Sequence, residues 1–408
     1  MSSRRAIPLF LLCFLFANLL SAKEIIKGFV VNQNRSAAEN VTVYLNYTSV
    51  HTTTNANGYF ELAADEGNYD LIISSVGYTT IKHKLKITKY NSALTFILVQ
   101  KGLASKNTNY NKVWEHHFEE FKHVFLGTSE VSKGCTIKNP KSLYFTFDVN
   151  TGTLIAKSTE PILIENKSLG YLVSYDLQHF LYSPSRVSYD GYLHFLEMNT
   201  LESNTKKWID NRLKAYNGSR MHFVRALLKQ ELEEEGFFIY QFRKIPNKDR
   251  PTEESIKKAR NIVTDNYNSP NLNPKVKRPR TALDSAVVTL RKISLPKYKE
   301  VLYKKFVPYG SMTKEYNNET FINFKDYLKV IYTKEGEEKA YLQASQLKKT
   351  REAGYQITNL DLLSKATVLD KSGMLLDPLD LLVEGYWAFK RIADMLPIDY
   401  QPPVKTMN

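Results

Sequence analysis

His194-Phe195-Leu196-Glu197 has the His-x-x-Glu spacing with which zinc peptidases hold two of their metal ligands. Zinc hydrolysis needs a third protein ligand and an open position for water. The only later histidine is His222. His194 also lies in the alternating run Tyr192-Leu193-His194-Phe195-Leu196, where a packed or surface histidine is ordinary. His116, His117 and His123 are the other concentration. On a helix His116 and His123 share a face and His117 points elsewhere, and two ligands are too few. No His-Glu-x-x-His, Gly-x-Ser-x-Gly or phosphate-cradling glycine loop occurs. With 42 acids in the chain, pairs such as Asp361/Asp370 and Asp377/Asp380 arise by chance. The residues therefore predict no catalytic set, no metal and no cofactor.

Basic charge concentrates in residues 275–305. Lys275, Lys277, Arg278, Arg280, Arg291 and Lys292 are followed by Lys297, Lys299, Lys304 and Lys305, against only Asp284 and Glu300. Pro270, Pro274 and Pro279 among Asn and Lys/Arg predict an exposed loop or hinge over 266–280. So dense a set of cations can lean on an anionic surface such as outer-membrane lipid or an acidic glycan, and an ordinary solvated loop explains it as well. A rival patch mixes Trp208, Tyr216, Met221, Phe223 and Val224 with Lys206, Lys207, Arg212, Lys214, Arg220 and Arg225. Such a mixture can bind nucleic acid. Two amphipathic helices with charged outer faces explain it as well, and export argues against nucleic acid.

Export is read from the first 22 residues. Arg4 and Arg5 precede the apolar run Ile7–Ala17, and small residues Ser21 and Ala22 end it. Positive start, short apolar core and small-residue exit describe a secretory signal. Its removal takes Cys13 and leaves Cys135 as the single mature cysteine. One cysteine forms no internal disulfide, so the exported chain must be stable through core burial alone. Export without disulfides points to a bacterial envelope, periplasmic or outer-membrane-associated. The Asn-x-Ser/Thr triplets at Asn40, Asn46, Asn166, Asn217 and Asn318 then carry no glycan. Over the 408 residues, 43% hydrophobic and 24% charged is globular composition, which excludes disorder and a multi-span membrane protein. The net charge of +14 falls by two with the signal, which holds two Arg and no acid.

The elements that must carry these residues fall into two parts. Residues 24–100 hold strand-like runs at Ile25–Val31, Val41–Asn46, Tyr59–Leu62, Tyr69–Ser75 and Thr95–Val99, divided by turn residues. Short strands at this spacing predict a small antiparallel sandwich. Alternation in Val41–Leu45 and Tyr69–Ile73 predicts one buried and one wet face, and Asn57-Gly58 a tight hairpin turn. The ordered set Lys27-Gly28-Phe29-Val30-Val31, Val41-Thr42-Val43, Thr54-Asn55-Ala56-Asn57-Gly58-Tyr59-Phe60 and Gly67-Asn68-Tyr69-Asp70-Leu71 with Gly77-Tyr78 resembles the carboxypeptidase-like regulatory domain. That resemblance implies a transthyretin-like sandwich, an accessory module of exported Bacteroidetes proteins that is not itself catalytic.

Residues 101–112 read as a polar linker, and 113–400 as a second domain. Trp114, Phe118, Phe121, Val124 and Phe125 mark a helix stopped by Gly127. Residues 143–197 are strand-like, with Asn150-Thr151-Gly152 a hairpin signal. Thr205–Asn217 and Ser219–Gly236 read as helices, Phe237–Arg243 as a strand, and Thr252–Val263 as a helix capped by Thr252. Residues 281–378 read as strand-rich, with Tyr327–Thr333 the clearest strand, and Leu381–Leu396 as a last amphipathic helix ended by Pro397. The segments around Trp208–Phe223 and Asp377–Tyr400 resemble the long C-terminal part of exported Bacteroidetes proteins, which implies no assigned activity. The fold class is α+β: an N-terminal transthyretin-like sandwich, then a mixed, mostly antiparallel α+β domain. TonB-dependent receptors often begin with the same module, but roughly 300 further residues are too few for a plug and a 22-stranded barrel. The function read from the sequence is a non-catalytic envelope binding protein whose partner is a protein or glycan. The alternative is a peptide- or glycan-directed hydrolase with its site in the C-terminal domain.

Overall fold

A computed structural model describes residues 23–102, 110–184, 186–199, 202–345, 351–375 and 378–403. The expected signal segment, most of the expected linker and Asp377 lie outside the described residues.

The N-terminal strands are β1 (Glu24–Val31), β2 (Thr42–Leu45), β3 (His51–Thr53), β4 (Tyr59–Ala64), β5 (Gly67–Ser74), β6 (Ile81–Ile87) and β7 (Leu94–Ile97). They form two sheets, ordered β4-β1-β7 and β3-β2-β5-β6. Between the sheets lies a core of Ile26, Val30, Val43, Leu45, Phe60, Leu62, Leu71, Ile73 and Phe96. Two strands, β3 and β6, escaped the sequence reading. The sandwich is also not wholly antiparallel, because β7 runs parallel to β1. Asn57-Gly58 does make the expected turn, with Gly58 at φ +71°. It is no hairpin, since β3 and β4 belong to different sheets. The Asn55 side-chain oxygen accepts from the backbone N–H of Asn57 and Tyr59, at 2.9 and 3.1 Å, and so sets the crossover.

Next come α1 (Lys112–Leu126), β8 (Cys135–Ile137), β9 (Leu143–Asp148), β10 (Thr153–Ser158), β11 (Ile162–Asn166), β12 (Tyr171–Ser183) and β13 (Arg186–Glu197). The last six make one sheet, ordered β8-β11-β12-β10-β9 with β13 on β12. The Asn150-Thr151-Gly152 signal is the β9–β10 hairpin, where Asp148 pairs with Thr153.

The chain divides into two compact units that do not follow chain order. One takes the described residues through Trp114 together with Ile137–Ile164 and Leu172–Glu197. The other takes Glu115–Thr136, Glu165–Tyr171 and the described residues from Met198 onward. A cut at 101–112 differs from this division, because the long strands of the six-stranded sheet belong mainly with the first unit.

Within the first unit, β13 lies against the sandwich. The N–H of Tyr47 donates to the carbonyl of Leu193 at 2.8 Å, and the N–H of Phe195 to Thr48 at 2.9 Å. The N–H of Leu193 donates to the Asn46 side chain at 2.9 Å. This corrects the expected wet face of β2 and β5: Tyr44 and Ile72 are as buried as Val43 and Ile73. Asn46 and Asn166 are buried too and serve as hydrogen-bonding groups.

The second unit holds α2 (Glu202–Tyr216), α3 (Arg220–Lys229), β14 (Phe237–Pro246), α4 (Glu253–Asp265), α5 (Ala282–Arg291), β15 (Tyr298–Lys305), β16 (Thr313–Tyr316), β17 (Glu319–Ile322), β18 (Tyr327–Gly336), α6 (Lys339–Ala344), β19 (Tyr355–Leu362), β20 (Thr367–Leu369), β21 (Leu381–Gly385) and α7 (Tyr386–Phe389). Its main sheet has the order β15-β14-β18-β19-β21, with β16-β17-β20 beside it in the chain as a smaller sheet. The core is built from Phe223, Leu227, Phe237, Leu328, Val330, Tyr332, Leu360 and Trp387. Ser219 caps α3, its hydroxyl accepting from the N–H of His222, as its position predicts. That helix stops at Lys229, well before Gly236, because Gln230 turns left-handed at φ +61°. The expected helix over 381–396 is instead a strand and one helical turn. Leu381–Gly385 pairs antiparallel with β19, and Gly385 at φ +92° ends the strand.

Trp208 shows how tightly α2 is seated. Its ring covers Gly170, which has φ +73°, so that an added Cβ would stand 2.2 Å from the ring. Its indole N–H donates to the carbonyl of Lys167 at 2.9 Å. Gly170→Ala is therefore expected to cost about 2 kcal/mol, from positive-φ strain and overpacking. Urea unfolding would measure this, and an unchanged midpoint would contradict the packing.

Candidate anionic-surface site

The six cations singled out from the sequence lie on one helical hairpin inserted between β14 and β15. Thr252 caps α4, its hydroxyl accepting from the N–H of Ser255, with Glu253 and Glu254 in the first turn. The partner helix α5 lies in a stretch that reads as strand-rich. Its signal is Thr281-x-x-Asp284 ahead of Leu283, Ala286, Val287 and Leu290, a reciprocal capping box followed by apolar residues at helical spacing. The two helices pack together, with Ile256 and Ala259 buried on α4 and Leu283, Ala286 and Val287 on α5. Arg250 clamps the base. Its guanidinium donates to the carbonyls of Ile293 and Leu295 and pairs with Glu253.

All six cations, Lys275, Lys277, Arg278, Arg280, Arg291 and Lys292, are exposed. Arg291 donates to the carbonyl of Val276 at 2.5 Å, which ties the loop to the end of α5. Arg291 and Lys292 stand at the C-terminal end of that helix, where its dipole favours positive charge. Most acids nearby are committed elsewhere. Asp249 pairs with Lys299 at 2.6 Å, Glu254 with Lys258 at 2.8 Å, and Glu300 with Lys329 at 2.5 Å. Glu253 serves Arg250 and Lys297. Asp284 accepts from the N–H of Arg280 and of Thr281, at 3.0 and 3.1 Å. Those bonds, with a smaller contribution from the Arg280 charge, hold its carboxyl below the usual range. Asp265, at the end of α4, makes no ion pair among the described residues. None of the six cations forms a salt bridge with a carboxylate among the described residues, although Arg280 lies near Asp284 and Lys292 near Asp249. What remains is an exposed cationic surface with Tyr267 and Tyr298 on the same segment, 74% and 55% exposed.

The rival basic–aromatic set is divided: Lys206, Lys207 and Lys214 are exposed, while Arg212, Arg225 and its aromatic residues face inward. Arg212 lies 3.9 Å over the Tyr171 ring and donates to the carbonyls of Leu169 and Gly170. Arg225 donates to the carbonyls of Ser372, Ile398 and Tyr400. Trp208, Tyr216, Phe223 and Val224 are buried.

The other candidates fall apart by geometry. His194 is buried between the rings of Tyr44 and His51, at centroid distances of 4.3 and 5.4 Å. Burial, with a smaller push from His51, lowers its pKa to about 3, so the ring stays neutral. Glu197 is exposed at the strand end, and an odd separation along β13 sends it to the other face. Cys135 is half-buried, and its thiol is pushed up to about 12 by burial and then by the charge of Asp394. Such a thiol is not a nucleophile near neutral pH. No helix among the described residues is long and apolar enough to cross a membrane.

Among solved structures, a type II cohesin–X-dockerin complex from Acetivibrio cellulolyticus is 18% identical over 27% of this chain and 81% of that one, with a TM-score of 0.19. A DUF3823 family protein from Bacteroides ovatus is 8% identical over 43% of this chain and 100% of that one, at 0.17. The Bacillus anthracis TIE protein is 10% identical over 44% of this chain and 32% of that one, also at 0.17. TM-scores of this size do not indicate a common overall fold. No curated protein matches the chain. Residues 26–109 match the family model described as CarboxypepD_reg-like domain. The chain thus carries an N-terminal carboxypeptidase-like regulatory domain, followed by an α+β remainder to which that match does not extend.

Proposed function

We propose that this is a non-catalytic interaction protein of the cell envelope. On this reading the chain is exported and works in the periplasm or at the outer membrane. The regulatory domain recognises an envelope protein or glycan, and the α4–α5 hairpin rests on an anionic membrane surface. The observation that supports the proposal is the charge balance of the hairpin: six exposed cations that form no salt bridge among the described residues, beside acids most of which pair with other cations. A solvated surface needs no such imbalance, whereas each Lys or Arg close to an anionic leaflet contributes about 1 kcal/mol.

The test is co-sedimentation with vesicles of phosphatidylcholine alone or mixed with phosphatidylglycerol. Binding is expected only to the anionic vesicles and should weaken as salt rises, because the contacts are screened beyond about 8 Å at physiological ionic strength. Lys275→Gln, Lys277→Gln and Arg278→Gln together should weaken it roughly 30-fold, about 2 kcal/mol after screening. Equal binding to neutral vesicles, or an unaffected triple variant, would remove the hairpin from the function.

A further inference from the structure

We infer that α1 carries a binding site for a divalent transition metal, formed by His116, His117 and Glu120. Each of the three offers a ligand atom, and these atoms lie within 4.8 Å of one another. Helix geometry brings this about. Glu120 is four residues from His116 and three from His117, so all three project over one arc of the helix. By helical spacing His116 shares a face with His123 and the histidines alone give two ligands, whereas the carboxylate one turn on from His116 supplies the third.

The site is partly built already. His117 Nδ1 stands 3.7 Å from a Glu120 carboxylate oxygen, with the two side chains 13% and 32% exposed. The His116 ring lies 5.6 Å from that of His117, centroid to centroid, and is exposed and able to turn. Ligand atoms around a tetrahedral ion at about 2.0–2.2 Å stand roughly 3.3–3.5 Å apart. A change of up to about 1.5 Å, by rotation of the exposed imidazole, closes the set. Two imidazoles and one carboxylate make a nitrogen-rich, borderline donor set. It suits Zn²⁺, Co²⁺, Ni²⁺ or Cu²⁺, and not Ca²⁺ or Mg²⁺, which take oxygen. Three protein ligands leave a position for water or for a group from another molecule.

Titration of the untagged full chain with Zn²⁺ chloride in a calorimeter should give one bound ion per chain. Co²⁺ should give the visible absorption of a low-symmetry nitrogen–oxygen site. His117→Ala and Glu120→Gln should each weaken Zn²⁺ binding at least about tenfold, since even outer-shell losses cost that much. His123→Ala on the same helix should leave binding unchanged. Absence of stoichiometric Zn²⁺ binding overturns the site. So does binding that His117→Ala and Glu120→Gln leave intact, or that His123→Ala weakens equally. The Co²⁺ spectrum needs no variant, so the inference is tested even if a substitution disturbs the helix.

Discussion

Between pH 7 and pH 5 the protein is expected to lose about 2 kcal/mol of stability that a His194→Phe variant retains. His194 is buried beside Tyr44 and His51, and its folded pKa is about 3 against an ordinary value of 6.5. Above 6.5 the ring is neutral in both folded and unfolded chains, so it adds no pH dependence. Below 6.5 the unfolded chain binds a proton that the folded one refuses, and stability declines as pH falls toward 3. The slope is about 1.4 kcal/mol per pH unit, and the whole interval is worth on the order of 5 kcal/mol. Phenylalanine keeps a ring between its two neighbours and has nothing to protonate. Urea unfolding of both proteins at pH 7 and pH 5 isolates the effect, because other titrating groups are shared. Parallel losses in the two proteins would show that His194 is not held neutral.

Lys390→Met should cost about 3 kcal/mol at neutral pH, the lower end for breaking a buried ion pair, because the Lys390 side chain is still 24% exposed. Its ammonium lies between Glu338 and Asp394, 3.0 Å from the Asp394 carboxylate and in contact with that of Glu338. Asp394 accepts a second bond from the buried Ser129 hydroxyl at 2.7 Å, and Glu338 accepts from the N–H of Glu130 at 3.0 Å. The network thus fastens the segment after α1 to the C-terminal residues. Burial raises the Asp394 carboxyl, and Lys390 is the group that counters this. Removing the lysine leaves a carboxylate, 4% exposed, with one hydroxyl for support. Adding Asp394→Leu should recover most of the loss, since apolar replacement of both partners is often neutral. If the double variant is no more stable than Lys390→Met, the cost comes from packing and not from the stranded charge.

Much of this protein is decided by neighbours in the chain. Ser219 and Thr252 start helices because a side-chain oxygen can reach an N–H two or three residues on. Gly58 and Gly152 turn the chain because they adopt positive φ without a Cβ to clash. The apolar alternation of β1, with Ile26, Gly28 and Val30 inward, marks the sandwich core before any pairing is known. The density of lysine and arginine around residue 280 is equally plain. Each of these depends on contacts within a few residues, which a sequence states directly.

The remainder needed partners distant in the chain. Leu381–Val383 is an apolar run too short to separate strand from helix by period, and its pairing with β19 made it a strand. Tyr44 and Ile72 occupy positions that alternation assigns to water, yet both are buried, and His194 on β13, more than a hundred residues on, stacks against Tyr44. The site candidates divide the same way. Local sequence placed the cations of the hairpin, but only the fold decided which acids answer which bases. It pairs Asp249, Glu253 and Glu254 with other cations and ties Asp284 to a helix start, and so leaves the six cations without a salt bridge among the described residues. Long-range pairing is set by surface burial summed over many residues, and no short stretch of sequence carries that sum.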